Sequence, residues 1–125
     1  MVTLVNSNKE VEPDDGFDLL EDRAAHVAER LSQMAHPARL MVLCRLAKLE
    51  ADGGNGEASV GELQQTVGLS QSALSQHLAR LRHAGMVETR RDGQSIRYRL
   101  ADEEVRQLMR ALYATFCVEA SNGAE

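Results

Sequence analysis

Within six positions of one another stand four uncharged hydrogen-bonding side chains, Gln71, Ser72, Ser75 and Gln76, and arginines follow at Arg80, Arg82, Arg90 and Arg91. Hydroxyls and carboxamides both donate and accept, and glutamine can pair with adenine through two bonds at once. A merely solvated helix face usually carries Glu and Lys instead. Arginine grips phosphate oxygens, so these four, with Gln94 beside the second pair, suit a sugar–phosphate backbone. Two cysteines, Cys44 and Cys117, supply the thiol chemistry. They form no CxxC, and each falls on an apolar stripe, so spacing alone reads them as small core residues. No glycine-rich phosphate loop, paired-carboxylate motif or Ser/His/Asp arrangement can be picked out, which argues against an enzyme and against a bound cofactor.

The charge distribution agrees with a polyanion-binding segment. The chain of 125 residues has a formal net charge of -5. Residues 1–22 alone sum to -6, whereas residues 71–100 hold six arginines against Glu88 and Asp92, a net +4. An acidic protein thus carries one compact basic block, the electrostatic footprint of a nucleic-acid surface.

The elements that must position these groups follow from periodicity. Residues 1–16 are polar and acidic without apolar repeat and are expected to form a flexible tail, leaving a single domain over 17–121. From Phe17, Leu20, Ala24, Val27, Ala28, Leu31 and Ala35 recur at helical spacing, which predicts one helix up to His36-Pro37. Pro37 opens a second helix, with Leu40, Leu43, Cys44 and Ala47 on one stripe and an end near Glu50. Residues 51–57 read as a flexible connector. Ser59 with Glu62 makes a capping box for a short helix that Gly68 stops, and Ser70 caps the next, from Gln71 to about Ala84. The period then drops to two. Asp92-Gly93 marks a hairpin turn, which pairs Arg91 with Gln94, Thr89 with Ile96, Glu88 with Arg97 and Val87 with Tyr98. Val87, Thr89, Ile96 and Tyr98 then share a face. Asp102 opens a last helix bearing Val105, Leu108, Met109, Leu112, Tyr113, Phe116 and Cys117. Met34, Met41, Met86 and Met109 read as core filler.

This order predicts a mainly α-helical fold with a small two-stranded β-wing, a winged helix-turn-helix. Its second helix enters the major groove, Gln71, Ser72, Ser75 and Gln76 meeting base edges while Arg80 and Arg82 meet phosphates and the hairpin tip, with Arg90, Arg91 and Gln94, meets the neighbouring backbone or the minor groove. The expected partner is double-stranded DNA. No apolar run approaches the roughly 20 residues of a membrane span, and the first residues lack a secretory leader, so a cytoplasmic location with no membrane contact is expected.

Residues 69–100, opening Leu-Ser-Gln-Ser-Ala-Leu-Ser-Gln-His-Leu, together with Met34-Ala-His-Pro-Ala-Arg-Leu-Met-Val-Leu43, resemble the ArsR (ArsR/SmtB) family of bacterial repressors. The resemblance spans about residues 18–117. It implies a homodimer built from the first and last helices, on an operator with an imperfect inverted repeat. Metal-sensing members carry ligands that can be sought here. Gly61–Val67 holds no Cys-x-Cys, and the last helix holds no histidine, so neither the arsenic and cadmium type nor the zinc type of site is expected. His36 and His77 read as packed or DNA-facing imidazoles. The cysteine after the His-Pro segment and the Phe116-Cys117 pair are similar to the sulfide- and persulfide-responsive BigR/SqrR branch. That likeness implies that Cys44 and Cys117 are a redox-sensing pair, joined by reactive sulfur species into a disulfide or polysulfide, which releases the DNA. Two other readings stay open: a soft metal such as Cu(I) or As(III) on the same cysteines, and a winged-helix module for protein contacts with structural cysteines.

Overall fold

The computed structural model describes residues 15–117. Most of the acidic stretch, and the end of the domain expected at 121, lie outside the described residues. Those described fall into two compact units, one ending at Ser32 and one beginning at Gln33.

The first unit is helical. Where one helix was expected there are two, α1 (Asp15–Asp22) and α2 (Ala24–Met34). The break sits at Arg23, whose N–H is shared between the carbonyls of Leu19 and Leu20, both at 3.1 Å. A shared donor tightens one turn without changing the apolar spacing, so periodicity could not reveal it. Phe17, Leu19, Leu20 and Leu31 remain exposed.

The second unit is built around α3 (Pro37–Ala51), which is apolar on several sides: Ala38, Val42, Leu43 and Leu46 are buried. Pro37 occupies the first turn, where its missing N–H costs nothing, and His36 Nδ1 accepts the Ala38 N–H at 3.0 Å. Against α3 pack α4 (Val60–Val67), α5 (Gln71–His83), α6 (Glu103–Phe116) and the sheet. The expected capping box is present: Glu62 N donates to Ser59 Oγ at 3.2 Å and Ser59 N to Glu62 Oε1 at 2.9 Å. Gly68 ends α4 in the left-handed region, with φ of 81°. Leu63, Leu74, Leu78, Leu81, Met86, Leu100, Val105 and Met109 complete the core. Met34, Met86 and Met109 are core as expected, but Met41 is 46% exposed.

The mainly α winged helix-turn-helix stands, with one strand more than expected. The sheet is antiparallel and three-stranded, in the order β1 (Ala58–Ser59), β3 (Ser95–Leu100), β2 (Val87–Asp92). A two-residue strand has no period to read. It forms because β3 would otherwise leave an unpaired edge and because Ala58 is buried there. The connector is consequently not loose throughout, since Gly56 and Glu57 are buried. The hairpin register also differs: Asp92 pairs with Ser95, so Gly93 and Gln94 form the loop, and Gly93 supplies the positive φ of 65°. Every partner moves by two residues. The faces survive, and the pairing now sets Val87 opposite Leu100, both buried, Glu88 opposite Arg99, and Arg90 opposite Arg97. No helix among the described residues is long and apolar enough to cross a membrane.

Candidate nucleic-acid interface and thiol pair

Helix α5 divides cleanly between inside and outside. Leu74, Leu78 and Leu81 are fully buried, and Gln71, Ser72, Ser75, Gln76, Arg80 and Arg82 are all exposed. Helical spacing places Ser72, Gln76 and Arg80 in one row, with Gln71 and Ser75 in the row beside it. Ser70 fixes the start of the helix: its Oγ accepts the Ala73 N–H at 3.2 Å. The first turn thus offers uncharged hydrogen-bonding side chains at the positive end of the helix dipole.

His77 lies on the side turned toward α3. Arg39 Nε donates to its Nδ1 at 3.3 Å, and its ring centroid is 4.3 Å from that of His36. Burial, then the charges of His36, Arg39 and Arg80, hold its imidazole below the usual histidine range. Of the two roles the sequence left open for it, packing is the one found. Arg39 also donates to the Gln33 carbonyl at 2.9 Å, so one guanidinium in the first turn of α3 links the end of α2 to α5.

The wing is more constrained than its sequence suggested. Arg91, Asp92 and Gln94 are exposed, and Arg91 is on the face of Thr89 and Ile96. Arg90, on the opposite face, is engaged with Glu57: its Nε lies 3.2 and 3.0 Å from the two carboxylate oxygens and its Nη2 2.6 Å from Oε1. Arg97 and Arg99 lie 3.9 and 3.8 Å from the same carboxylate. The sequence reading counts these last two in the basic block without giving them a contact, and does not single out Glu57. The alternation of β3 could have shown that Arg97 and Arg99 share a face, but nothing local marks Glu57.

The thiols belong to α3 and to the end of α6 in the same unit. Cys44 is half-buried on α3, its Sγ 3.9 Å from Met109 Sδ, and opens into a cleft of about 300 Å³. Ala47, Met109 and Tyr113 give this cleft an apolar lining, with Lys48 and Arg110 also in it. Cys117 caps α6, donating its backbone N–H to the Tyr113 carbonyl at 2.8 Å, and is exposed. The expectation that both thiols are core residues therefore fails for Cys117. A position on the apolar stripe buries nothing once the helix has run past its neighbour. Burial pushes the Cys44 thiol up, and the charge of Cys117 adds to the shift. Among the described residues no group of three or more His, Cys, Asp or Glu side chains is arranged to hold a metal ion.

Known proteins resemble the chain over most of its length. Residues 36–89 match the model described as bacterial regulatory protein, arsR family. The chain is 48% identical over 103 residues to the biofilm growth-associated repressor of Agrobacterium fabrum, covering 82% of each. It is 40% identical over 98 residues to the HTH-type transcriptional regulator YgaV of Escherichia coli, covering 78% of this chain and 93% of that one. Among solved structures, the transcriptional repressor BigR from Xylella fastidiosa aligns with a TM-score of 0.71 at 45% identity, over 82% of this chain and 97% of that one. Reduced HlyU from Vibrio cholerae aligns with a TM-score of 0.69 at 41% identity, over 78% and 96%. These relatives are transcriptional regulators, not enzymes. With the exposed polar face of α5, its wing and this likeness over four-fifths of its length, the chain belongs to the arsR family of bacterial DNA-binding transcriptional repressors.

Proposed function

We propose that this chain is a dithiol redox-responsive repressor. It binds an inverted-repeat operator in the cytoplasm as a homodimer and is released when reactive sulfur links Cys44 to Cys117. Gln71, Ser72, Ser75 and Gln76 read base edges, and Arg80, Arg82, Arg90, Arg91 and Gln94 hold the backbone. The exposed apolar side chains of the terminal helices, Phe17, Leu20 and Leu31 on one side of the sequence and Tyr113 and Phe116 on the other, support self-association.

The observation that carries the sensing role is the placement of Cys44 on a cleft whose other wall, Met109 to Tyr113 of α6, runs on to Cys117 at the end of that helix. A persulfide RS–SH passes its outer sulfur to one thiolate and leaves as RSH. The second thiolate attacks the cysteine-bound sulfur of the new Cys–S–SH and expels HS⁻, which closes a disulfide. A direct bridge needs Cα atoms about 4.4 to 6.8 Å apart, and additional sulfur atoms relax that limit. Because α3 packs against both α5 and α6, fixing α6 to α3 biases the helix that reads DNA. A coupling of about 1 to 3 kcal/mol suffices for a regulatory response.

The test treats the protein with a persulfide donor and follows intact mass and duplex binding. Wild type should gain sulfur or lose two hydrogens and release DNA, and Cys44→Ser and Cys117→Ser should hold it. Release of DNA from both variants as from wild type refutes the proposal.

A further inference from the structure

Glu57 is the one buried ionisable residue among those described, with 4% of its side chain exposed, and DNA reading as argued so far makes no use of it. It stands just before β1, where the connector joins the sheet. Across the hairpin Arg90 faces Arg97 directly, and Arg99 lies two residues further along the same face. Three guanidinium groups on so small a face repel one another. The Glu57 carboxylate lies within 4 Å of all three. Other acidic groups take only parts of the set: Glu88 binds Arg99 at 2.7 Å, Glu62 is 3.5 Å from Arg97, and Asp92 is 3.9 Å from Arg90. The hydrogen bonds from Arg90, with the three positive charges, keep Glu57 ionised against its burial.

The bond to Arg90 is bidentate and uses Nε and one hydrogen of Nη2. A planar fork gripped along one edge cannot swing, and its remaining donors, on Nη1 and Nη2, point along fixed directions. The Arg90 side chain is still 47% exposed. We propose that Glu57 is a positioning residue for DNA binding, clamping Arg90 so that the free edge of its guanidinium projects from the wing as a preset phosphate contact. This rests on the reading of the wing as a backbone-binding element.

Charge counting and positioning predict opposite signs, which makes the test decisive. Removing a carboxylate beside a DNA-facing arginine should, on charge alone, tighten binding. Positioning predicts that Glu57→Gln weakens it although the protein becomes more positive. Phosphate contacts carry no sequence information, so a labelled random-sequence duplex is a sufficient probe, titrated at several salt concentrations. Loss of one phosphate-binding arginine from each wing of the dimer should reduce the slope of log K against log [salt] by about 1.8, and weaken binding about 60-fold at 0.1 M salt relative to the 1 M limit. Glu57→Asp keeps the charge but not the reach, and should behave like Glu57→Gln. In an Arg90→Ala background, Glu57→Gln should cost nothing further, and thermal midpoints identify any variant that has failed to fold. Unchanged or tighter binding by both folded Glu57 variants, while Arg90→Ala lowers affinity and slope, overturns the clamp alone. Unchanged binding by Arg90→Ala overturns the clamp and the wing reading together.

Discussion

The cap of α5 separates holding the reading helix from presenting it to DNA, and two substitutions at Ser70 pull those roles apart. Ser70 Oγ accepts the Ala73 N–H at 3.2 Å and lies 3.5 Å from Ser72 Oγ. Ser70→Ala strands that N–H in water and should cost about 1 kcal/mol. For a domain of this size the thermal midpoint then falls by about 4 to 8 °C. Ser70→Asp keeps the cap, and its charge complements the helix dipole by about 0.3 to 1 kcal/mol, so the midpoint should be no lower than wild type. The same carboxylate, however, stands where the proposed interface receives phosphate. At a separation of roughly 7 Å, and an effective dielectric between 80 and 20, repulsion amounts to about 0.6 to 2.4 kcal/mol. Binding should weaken about 3- to 60-fold per subunit, and the deficit should shrink as salt screens the charge. Midpoints are compared at one protein concentration, since association alters them, and affinities at 0.1 M salt or below, about one Debye length of 10 Å. If Ser70→Asp is stable and binds duplex as tightly as wild type, the start of α5 does not face the backbone and the assignment of Gln71 and Ser72 falls with it.

The remaining predictions concern titration. Burial and Cys117 push the Cys44 thiol above its ordinary value of 9.0, so it is scarcely ionised at neutral pH. Iodoacetamide at pH ~7.5 should label exposed Cys117 first, with Cys44 labelling still accelerating into alkaline pH; peptide mapping that finds Cys44 modified first contradicts this. His77 titrates below its ordinary 6.5, so on acidification the unfolded chain binds a proton that the folded chain refuses. Its contribution to stability is therefore complete above about pH 6.5 and is lost as pH falls from there through the folded value. Thermal midpoints measured from pH ~7 down to ~5 should drop more steeply for wild type than for His77→Gln, and parallel curves would exclude His77 as the cause.

The sequence was most readable where a local rule acts alone. Ser59 with Glu62, Gly68, and Ser70 each serve one backbone group, and each is found as its spacing implied. The faces of the hairpin were legible for the same reason, because alternation survives any even shift. Its partners were not: Asp92-Gly93 and Gly93-Gln94 are both acceptable loops, and the choice falls to burial of Val87 against Leu100, a tertiary matter. Arg23 and β1 were missed because a bifurcated hydrogen bond and a two-residue strand leave no periodic trace. At the site, exposure of the polar α5 side chains followed from the stripe formed by Leu74, Leu78 and Leu81. Glu57 could not be found that way, since its partners lie more than thirty residues downstream and become neighbours only when β1 meets β3.

The positions of the thiols carry a consequence for survival as well as for the proposed signalling. Cys44 and Cys117 bracket α4, α5 and the whole sheet, so a bridge between them would enclose the DNA-reading head in a covalent ring of roughly seventy residues. Closing such a ring removes entropy from the unfolded chain worth about 4 kcal/mol in the loop-closure account. The form that has let go of its operator would then be the sturdier one, slower to melt and to be digested, and would persist as a reserve that a reductant could return to service.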